Sequence, residues 1–518
     1  MSDASPQLSS LAEIPRFHAG RRPDAVAISH EGRSTTYRQL QDASSRVANG
    51  LRAAGIVAGD RIGILDKNSD CFFEIWLGAA KVNAVIVPIN ARLAGPEIEY
   101  VLNDAEIKVL FVGEMFVEMI QKIRPGLNTV QRVITTNDDY LRWRDKQTED
   151  DPHVDAAADD VCLQLYTSGT TGHPKGVQLT NRNILGSLPQ TLKSWGGWSP
   201  SDVALVAMPL FHIAGCGTGL ICLLGGLRFV LIQDFVPAQI IKIIQDERIS
   251  VTFLVPAMIL ALLSEPSISR ANLTTVRRIV YGASPIPLDL LKRAVATFKE
   301  AGFIQIYGLT ETSGGITVLS ADDHAHADSE LLRSCGKPID GVDIRIVDAN
   351  GKALAAGEVG EIVCRTVKNM KGYWRRDKDT AQALRDGWFS TGDAGYLDEK
   401  GYLFIHDRVK DMIVSGGENI YPAEVESVLF GQPDVADVAV IGVPDQKWGE
   451  AVKAIIVRRG GSIVDGETII AYARERLAGY KLPKSVDFVD VLPRNPTGKL
   501  LKRELREQYW RGYQRRVN

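Results

Sequence analysis

The sequence has almost no net charge, few cysteines and no long apolar run. Lys and Arg number 60 against 63 Asp and Glu, a formal net charge of −3, so no broad basic surface for nucleic acid is predicted. The six cysteines form no CxxC pair and no zinc-like spacing with histidine, which favours a reducing compartment. The longest apolar stretch, residues 220–232, is interrupted by Gly225, Gly226 and Arg228 and is too short to span a bilayer.

Residues 1–15 are polar and acidic, whereas a secretory signal begins basic and continues apolar. We therefore expect a cytoplasmic protein with no integral membrane segment. A chain of 518 residues predicts two or more domains. Its 45% hydrophobic and 24% charged residues are typical of a folded globular protein.

Short β-branched runs alternate with helical patterns over most of the chain, as they do in covered, largely parallel sheets. The predicted strands are 60–65, 84–88, 107–112, 203–208, 227–231, 251–254 and 279–281, and the predicted helices are 71–81, 237–246 and 288–301. After about residue 340 the runs become short and are separated by Gly and Asp. This change predicts an antiparallel, hairpin-rich subdomain.

A second change of pattern follows residues 402–405. A helix at 422–429, strands at 435–443 and 451–457 and a helix at 465–477 predict a small independent domain. The predicted fold class is therefore α/β, with a domain boundary near Lys410.

The segment 165–176 (LYTSGTTGHPKG) is dense in glycines and hydroxyl side chains and contains a lysine near its end. In such a loop, backbone N–H groups and hydroxyls can surround phosphate oxygens while the ammonium of Lys175 adds charge. A triphosphate ligand is predicted. It is not a Walker A loop, because Pro174 and Gly176 stand where that motif requires Gly and Ser or Thr. Taken alone, a flexible surface loop would explain the segment equally well.

Five further motifs follow this loop: YGLTET (307–312), STGD (390–393), DRVKD (407–411), SGGEN (415–419) and PRNPTGK (493–499). The six motifs in this order resemble those of the acyl-adenylating (ANL) superfamily, and the chain looks most like its acyl-CoA synthetases, or fatty-acid–CoA ligases. The resemblance covers residues 37–506. It implies that a carboxylate attacks the α-phosphate of Mg-ATP to give an acyl-adenylate and pyrophosphate, after which a thiol displaces AMP.

The resemblance also implies a nucleotide site. Residues of the glycine-rich loop would surround the pyrophosphate, Tyr307 would stack on adenine, and Asp393 with Arg408 would bind the ribose. Without the motifs, Tyr307 would be a buried core aromatic and Asp393 a turn former. The implied ATP- and AMP-binding residues are Thr167, Ser168, Gly169, Thr170, Thr171, Lys175, Gly282, Ala283, Ser284, Tyr307, Gly308, Asp393 and Arg408.

Four residues carry implied catalytic roles. Thr310 would hydrogen-bond the α-phosphate, and Glu311 would bind Mg²⁺ through an oxygen ligand, which that ion prefers. Lys499 would contact both the substrate carboxylate and the α-phosphate. His212 would gate the passage between the acyl pocket and the thiol tunnel, although a lone histidine is more often a core residue.

For thioester formation, the resemblance implies that a small C-terminal domain rotates about a hinge at Lys410. Gly416 and Gly417 would then leave room for pantetheine, beside which Trp448 would pack. CoA is the expected co-substrate. The implied architecture is a large N-terminal domain (1–409) of two α/β sheet subdomains plus a β-rich subdomain, followed by a mobile α+β domain (410–518).

The predicted acyl pocket contains mostly small residues and no Lys, Arg or Asp that would pair with a second carboxylate or an amine. An apolar acid is predicted, with a medium- or long-chain fatty acid favoured. An aryl or cinnamate-type acid, or the loading of a carrier protein by a free-standing enzyme, is left open. The candidates for the pocket are His212, Gly215, Gly217, Ala283, Ser284, Gly308, Gly314, Gly315 and Ile316.

Two further features leave alternatives open. The basic tail 499–516 would suit a weak contact with a membrane surface, but an ordinary solvated helix is the favoured interpretation. His324 and His326 lie among aspartates and suggest a metal site, but a solvated loop is favoured. The sequence leaves a homodimer open and predicts no nucleic-acid partner.

Overall fold

The computed structural model describes residues 8–167, 174–199, 201–325, 330–408, 411–415, 418–445, 448–494 and 500–511, with the main chain alone at 407, 408, 418 and 419. The strands are β1 Val26–His30, β2 Arg33–Thr36, β3 Arg61–Leu65, β4 Val85–Pro88, β5 Ile107–Val112, β6 Arg132–Thr135, β7 Val161–Thr167, β8 Lys175–Thr180, β9 Val203–Val206, β10 Arg228–Leu231, β11 Val251–Leu254, β12 Arg278–Gly282, β13 Gly302–Leu309, β14 Gly314–Leu319, β15 Lys337–Pro338, β16 Val342–Val347, β17 Gly360–Thr366, β18 Gly372–Tyr373, β19 Leu384–Arg385, β20 Trp388–Leu397, β21 Leu403–Arg408, β22 Ile413–Ser415, β23 Glu418–Ile420, β24 Val435–Asp445, β25 Gly449–Arg458 and β26 Ser485–Phe488.

Helices separate most of these strands. They are α1 Glu13–Arg21, α2 Tyr37–Ala53, α3 Cys71–Lys81, α4 Gly95–Asp104, α5 Val117–Ile123, α6 Asp138–Asp145, α7 Asn181–Leu185, α8 Leu188–Ser194, α9 Ile213–Leu224, α10 Pro237–Asp246, α11 Pro256–Ser264, α12 Leu288–Thr297, α13 Ala321–His324, α14 Asp377–Ala383, α15 Pro422–Phe430, α16 Gly466–Arg474 and α17 Lys502–Trp510. Among the described residues, none of the helices is both apolar enough and long enough to cross a membrane.

A nine-stranded sheet has the order β15-β14-β13-β12-β11-β9-β10-β1-β2. Its central strands, from β13 to β1, run parallel, and β14 returns antiparallel beside β13. The carboxyl ends of parallel strands meet at one edge of a sheet, where ligands usually bind in this class of fold. The ends of β12 and β13 therefore lie side by side at such an edge.

A seven-stranded sheet has the order β18-β8-β7-β4-β3-β5-β6. It is parallel from β7 to β6 and ends in the antiparallel strands β8 and β18. Helix α3 is buried along its whole length, which explains why its sequence is apolar on every side. Trp76 and Phe73 of this helix are among the largest fully buried side chains.

Two smaller sheets follow in the chain. The pairing of β16 with β17 and of β17 with β20 is antiparallel, as predicted for the region after residue 340. The last sheet has the order β23-β22-β25-β24, with β26 beside β25. The predicted α/β class, the β-rich portion and the small C-terminal α+β portion are confirmed, whereas the exact domain boundary stays a prediction.

Some predicted bounds differ from the structure. The helix predicted for 288–301 ends at Thr297, because buried Phe298 turns the main chain (φ −96°, ψ 65°) toward β13. The strand predicted for 203–208 ends at Val206, shortly before Pro209. The apolar stretch 220–232 contains the end of α9 and all of β10, as expected for buried elements.

His324 is buried, so the solvated loop favoured from the sequence is wrong at this residue. Its Nδ1 donates to the Ser320 carbonyl (2.7 Å), and its Nε2 accepts from the Tyr281 hydroxyl (2.8 Å). Burial lowers the pKa of His324, which favours this neutral ring. His326 lies outside the described residues.

Candidate active site

The hairpin β7–β8 carries both ends of the glycine-rich loop. Thr167 ends β7, Lys175 begins β8, and the two residues are paired across the hairpin. The predicted cradle residues between them, Ser168, Gly169, Thr170 and Thr171, lie outside the described residues. The structure therefore places the two ends of the predicted phosphate loop next to each other.

Helix α4 holds both ends of this loop from outside. The Tyr166 hydroxyl donates to Asp104 Oδ2 (2.6 Å), and the Tyr100 hydroxyl donates to the Pro174 carbonyl (3.3 Å). Burial, together with the nearby Asp104 carboxylate, raises the pKa of Tyr166, so its hydroxyl keeps the proton that it donates. The loop begins and ends at anchored points.

The carboxyl ends of β12 and β13 carry the adenine-side residues predicted from the sequence. Gly282 ends β12, and Tyr307 and Gly308 stand near the end of β13. A Cβ on Gly282 would lie 2.2 Å from the Ile306 carbonyl oxygen, and one on Gly308 would lie 2.0 Å from that of Gly314. Glycine is thus required by close packing of the main chain.

Ala283 has a positive φ of 65°, a conformation that costs energy for a residue with a side chain. Strained main chain of this kind is concentrated at binding sites. Ala283 and Ser284 follow directly after β12, so both stand at the sheet edge where the nucleotide residues were predicted.

Glu311 lies in a single 3₁₀ turn, Thr310–Thr312, directly after β13. Its Oε1 accepts from the Thr167 hydroxyl (3.4 Å) and from the Tyr373 hydroxyl (3.1 Å). Within the described part of the chain, neither of these donors reaches Oε2. Thr310, beside it, is buried. One carboxylate thus joins the seven-stranded sheet to the nine-stranded sheet.

Within the described ranges, the ammonium of Lys175 lies near a carboxylate and an aromatic ring. Its Nζ lies 3.1 Å from Asp379 Oδ1 of α14 and 5.3 Å from the centre of the Tyr373 ring. Neither Asp379 nor Tyr373 was a sequence candidate. Tyr373 touches both predicted ionic groups, Lys175 through its ring and Glu311 through its hydroxyl.

Asp393 belongs to the third sheet. Its carboxylate is buried, and Oδ2 accepts from the Tyr307 hydroxyl (2.6 Å). In the main chain, Asp393 pairs with Arg408 of β21; the Arg408 side chain lies outside the described residues. The predicted adenine and ribose residues are therefore direct neighbours, although 86 positions separate Tyr307 from Asp393.

His212 is the N-cap of α9, and its Nδ1 accepts from the Ala214 N–H (3.2 Å). The neutral ring therefore carries its proton on Nε2. Capping thus gives this polar side chain a structural role at the start of α9. The gating role of His212 stays a prediction.

The residues predicted for thiol transfer are only partly described. Lys410, Gly416, Gly417 and Lys499 lie outside the described residues. Trp448 is 42% exposed, and its main-chain N–H donates to Asp445 Oδ1 (2.9 Å). A large exposed aromatic ring is available for a ligand or another surface.

The sequence also missed a buried lysine beside the predicted acyl pocket. The Lys368 side chain is 3% exposed, and its Nζ donates to the carbonyl oxygen of Gly315. Burial lowers the pKa of Lys368 from 10.5 to about 7. No local pattern distinguishes such a lysine from a surface one, because its burial depends on β14, which is distant in the chain.

The groups around Glu311 fit a magnesium ion. Mg²⁺ prefers oxygen ligands and commonly binds through one or two carboxylates together with substrate phosphates. Glu311 offers a carboxylate oxygen, and the Thr167 hydroxyl lies beside it. In the described ranges, no cluster of three or more His, Cys, Asp or Glu residues forms a complete protein cage. One carboxylate beside one hydroxyl matches a Mg²⁺ ion that also binds substrate phosphates.

Comparison with known families now identifies the chain. The AMP-binding enzyme family matches residues 16–374, and the AMP-binding enzyme C-terminal domain matches residues 424–499. The chain belongs to the AMP-binding enzyme family. Within it, the chain is an adenylate-forming acid–thiol ligase of the acyl- and aryl-CoA ligase group, and the resemblance drawn from the six motifs is confirmed.

Three similar proteins cover nearly the whole chain. A fatty acid–[acyl-carrier-protein] ligase, ScoC, of Streptomyces coeruleorubidus is 40% identical over 99% of each chain. A feruloyl-CoA synthase of an Amycolatopsis species is 40% identical over 96% of this chain and 99% of its own. A long-chain-fatty-acid–CoA ligase, FadD13, of Mycobacterium tuberculosis is 39% identical over 92% of this chain and 93% of its own.

Solved structures show the same fold. An anthranilate CoA ligase in complex with anthranoyl-AMP has a TM-score of 0.91 and 27% identity, covering 97% of this chain and 98% of its own. ATP-bound MatB from Rhodopseudomonas palustris has a TM-score of 0.89 and 31% identity, covering 98% and 100%. The relatives act on different acids, so the class of acid is not fixed by similarity.

Proposed function

We propose that this protein activates an apolar carboxylic acid with Mg-ATP as an acyl-adenylate and then transfers the acyl group to CoA. The supporting observation is the meeting of three sheets at one site. Glu311, Lys175 and Asp393 come from different sheets, and Tyr373 and Tyr307 join them. A carboxylate for a metal, an ammonium for phosphate and a carboxylate for a ribose are what this reaction requires.

In the first step, a carboxylate oxygen of the acid bonds to the α-phosphorus of ATP, and the bond to the bridging oxygen of pyrophosphate breaks. Negative charge therefore grows on the pyrophosphate. Lys175 and the loop 167–175 would stabilise that charge, which would accelerate the step. Thr310 would donate to the α-phosphate, and Lys499 would bring together the two negatively charged reactants.

Glu311, with the Thr167 hydroxyl beside it, would hold Mg²⁺, which neutralises charge on phosphate oxygens when bound. Tyr307 and Asp393 would orient the nucleoside. The carboxylate of Asp393 can accept hydrogen bonds from both ribose hydroxyls, and the bond that it accepts from Tyr307 orients it. Arg408 would add a second ribose contact.

In the second step, the sulfur of CoA attacks the acyl carbonyl carbon, the thiol loses its proton, and AMP leaves with the bonding electron pair. We propose that residues 410–518 rotate against residues 1–409 about Lys410 between the steps. Gly416 and Gly417 would then border the pantetheine path, and Trp448 would pack beside it. The exposure of Trp448 supports its availability for that contact.

For the acid, we propose a medium- or long-chain fatty acid. The small residues of the predicted pocket support this choice, as do the activities for which ScoC and FadD13 are named. The feruloyl-CoA synthase favours an aryl or cinnamate-type acid as the second candidate. The similarity to ScoC also favours a carrier protein as an alternative acceptor.

The test is a panel of fatty acids of graded length and of aryl acids, each incubated with ATP, Mg²⁺ and either CoA or a holo carrier protein. We expect AMP, pyrophosphate and an acyl-CoA, with the highest kcat/KM for a fatty acid. ADP as a product would contradict the mechanism. If pyrophosphate exchange depends on the acid but the acyl group is transferred only to the carrier protein, the acceptor is the carrier protein and not CoA.

A further inference from the structure

Tyr373 belongs to a short segment, residues 368–374, that runs between two parts of the site. We call it the connecting segment. On one side it is bonded to strand β8, which carries Lys175. Gly372 and Tyr373 pair with Gln178 and Val177 of that strand. The main-chain N–H of Trp374, the next residue, donates to the Gly176 carbonyl (2.8 Å).

On its other side, the connecting segment is bonded to the turn that carries Glu311. The Met370 N–H donates to the Glu311 carbonyl (2.7 Å). The Ser313 hydroxyl donates to the Lys368 carbonyl (2.8 Å), and Lys368 Nζ donates to the Gly315 carbonyl. The chain from Glu311 to Gly315 is therefore tied to this segment.

Tyr373 reaches from this segment to both ionic side chains. Its hydroxyl donates to Glu311 Oε1 (3.1 Å), and Lys175 Nζ lies 5.3 Å from its ring centre. A second donor, the Thr167 hydroxyl, reaches the same Oε1. Two donors on one oxygen orient the carboxylate and leave Oε2 for a ligand, while the ring face favours a cation above it.

We propose that Tyr373 is a positioning residue that sets the Glu311 carboxylate for its metal and the Lys175 ammonium for pyrophosphate at the same time. The hydroxyl acts on Glu311 and the ring acts on Lys175, so the two effects are chemically separable. This inference rests on the proposed roles of Glu311 and Lys175.

The experiment compares Tyr373→Phe with Tyr373→Leu in acid-dependent pyrophosphate exchange, varying Mg²⁺ and ATP independently. Tyr373→Phe keeps the ring and should raise the half-saturating Mg²⁺ concentration by about 10-fold, the lower end of the effect of losing a partner that orients a metal ligand. The KM for ATP at saturating Mg²⁺ should stay unchanged. Tyr373→Leu should raise that KM as well, by about 2- to 5-fold.

Tyr402→Phe is the matched control. The Tyr402 hydroxyl also donates to a carboxylate, Asp323 Oδ1 (2.8 Å), but away from this site. It should leave both constants unchanged. Thermal unfolding of all three variants shows whether a substitution reduces the folded fraction. A merely structural role of Tyr373 would lower kcat through that fraction and would leave the half-saturating Mg²⁺ concentration unchanged.

Three outcomes overturn different claims. If Tyr373→Phe shows the Mg²⁺ dependence of the parent while Glu311→Gln abolishes exchange, the Tyr373 hydroxyl does not position Glu311 and the proposed function stands. If Tyr373→Leu also keeps the KM for ATP of the parent, the ring does not position Lys175 and the whole inference is overturned. If Glu311→Gln exchanges pyrophosphate at the parent rate, the proposed metal role of Glu311 is wrong and the inference falls with it.

Discussion

Lys175 Nζ lies 3.1 Å from Asp379 Oδ1, in a pair that is partly exposed to solvent. The lysine is the residue expected to bind pyrophosphate, so this carboxylate competes with the phosphate oxygens for the same ammonium. The pair is worth about 1 kcal/mol or less, since partial exposure screens it. Nucleotide binding must displace Asp379 or share Lys175 with it.

We predict that Asp379→Asn lowers the KM for ATP by about 2- to 5-fold, because phosphate then no longer competes with this carboxylate for Lys175. A pair worth about 1 kcal/mol or less corresponds to a change of this size, since about 1.4 kcal/mol is a factor of ten. The steady-state rate as a function of ATP concentration checks this. Asp377→Asn, on the same helix but exposed, removes one negative charge without the contact and should have a smaller effect. If both variants lower the KM for ATP equally, the effect of Asp379 comes from its charge alone and not from its contact with Lys175.

At the scale of elements, β14 begins directly after the turn of Glu311 and packs against the connecting segment through Lys368. This lysine bonds a neutral carbonyl, and the Cys364 thiol lies close enough to affect its pKa. Burial raises the pKa of Cys364 to about 12, so the thiol stays neutral near pH 7. Folding therefore buries a positive charge beside uncharged groups.

We predict that Lys368→Met stabilises the protein more at pH 6 than at pH 9. Folded Lys368 loses its proton near pH 7, whereas the unfolded chain keeps it up to about pH 10.5. The unfolded state thus binds more protons in this window, and the stability of the parent rises with pH by up to about 1.4 kcal/mol per unit. Unfolding midpoints at both pH values provide the measurement.

Lys371→Met is the control for this element, because Lys371 belongs to the same segment and is exposed. Its effect on the unfolding midpoint should be the same at pH 6 and pH 9. If the curves of Lys368→Met and the parent run parallel over this range, the buried ammonium does not titrate as described.

At the scale of the whole molecule, the proposed rotation makes Lys499 necessary for one half-reaction and not for the other. We predict that Lys499→Ala slows adenylate formation about 100-fold or more, because it removes a charge from the transition state. Thioester formation from supplied acyl-AMP and CoA should stay near the parent rate. Separate assays of the two steps decide this, and an equal loss in both would contradict the rotation.

The sequence predicted much of the fold and the identity of the site. Strands such as β5 and β11 and helices such as α3 and α10 have the predicted bounds, because their apolar patterns are local and regular. Tyr307, Glu311 and Asp393 were predicted as site residues because each stands in a motif of fixed spacing. Their roles came with the family rather than from the residues alone.

Tyr373, Asp379 and Lys368 could not be found in this way. Tyr373 is 62 positions from Glu311, and nothing in the residues around either one indicates their hydrogen bond. His324 was predicted to lie in a solvated loop because its neighbours in the sequence are polar. In the structure it is buried and bonded to Tyr281.

The order of apolar, glycine and motif residues along the chain thus determined the class of fold, the family and the chemistry of activation. Only the tertiary structure decided which side chain touches which ionic group. Local periodicity reports how one element exposes its faces, whereas the contacts of Tyr373 depend on how β8 and the turn after β13 are brought together from two separate sheets.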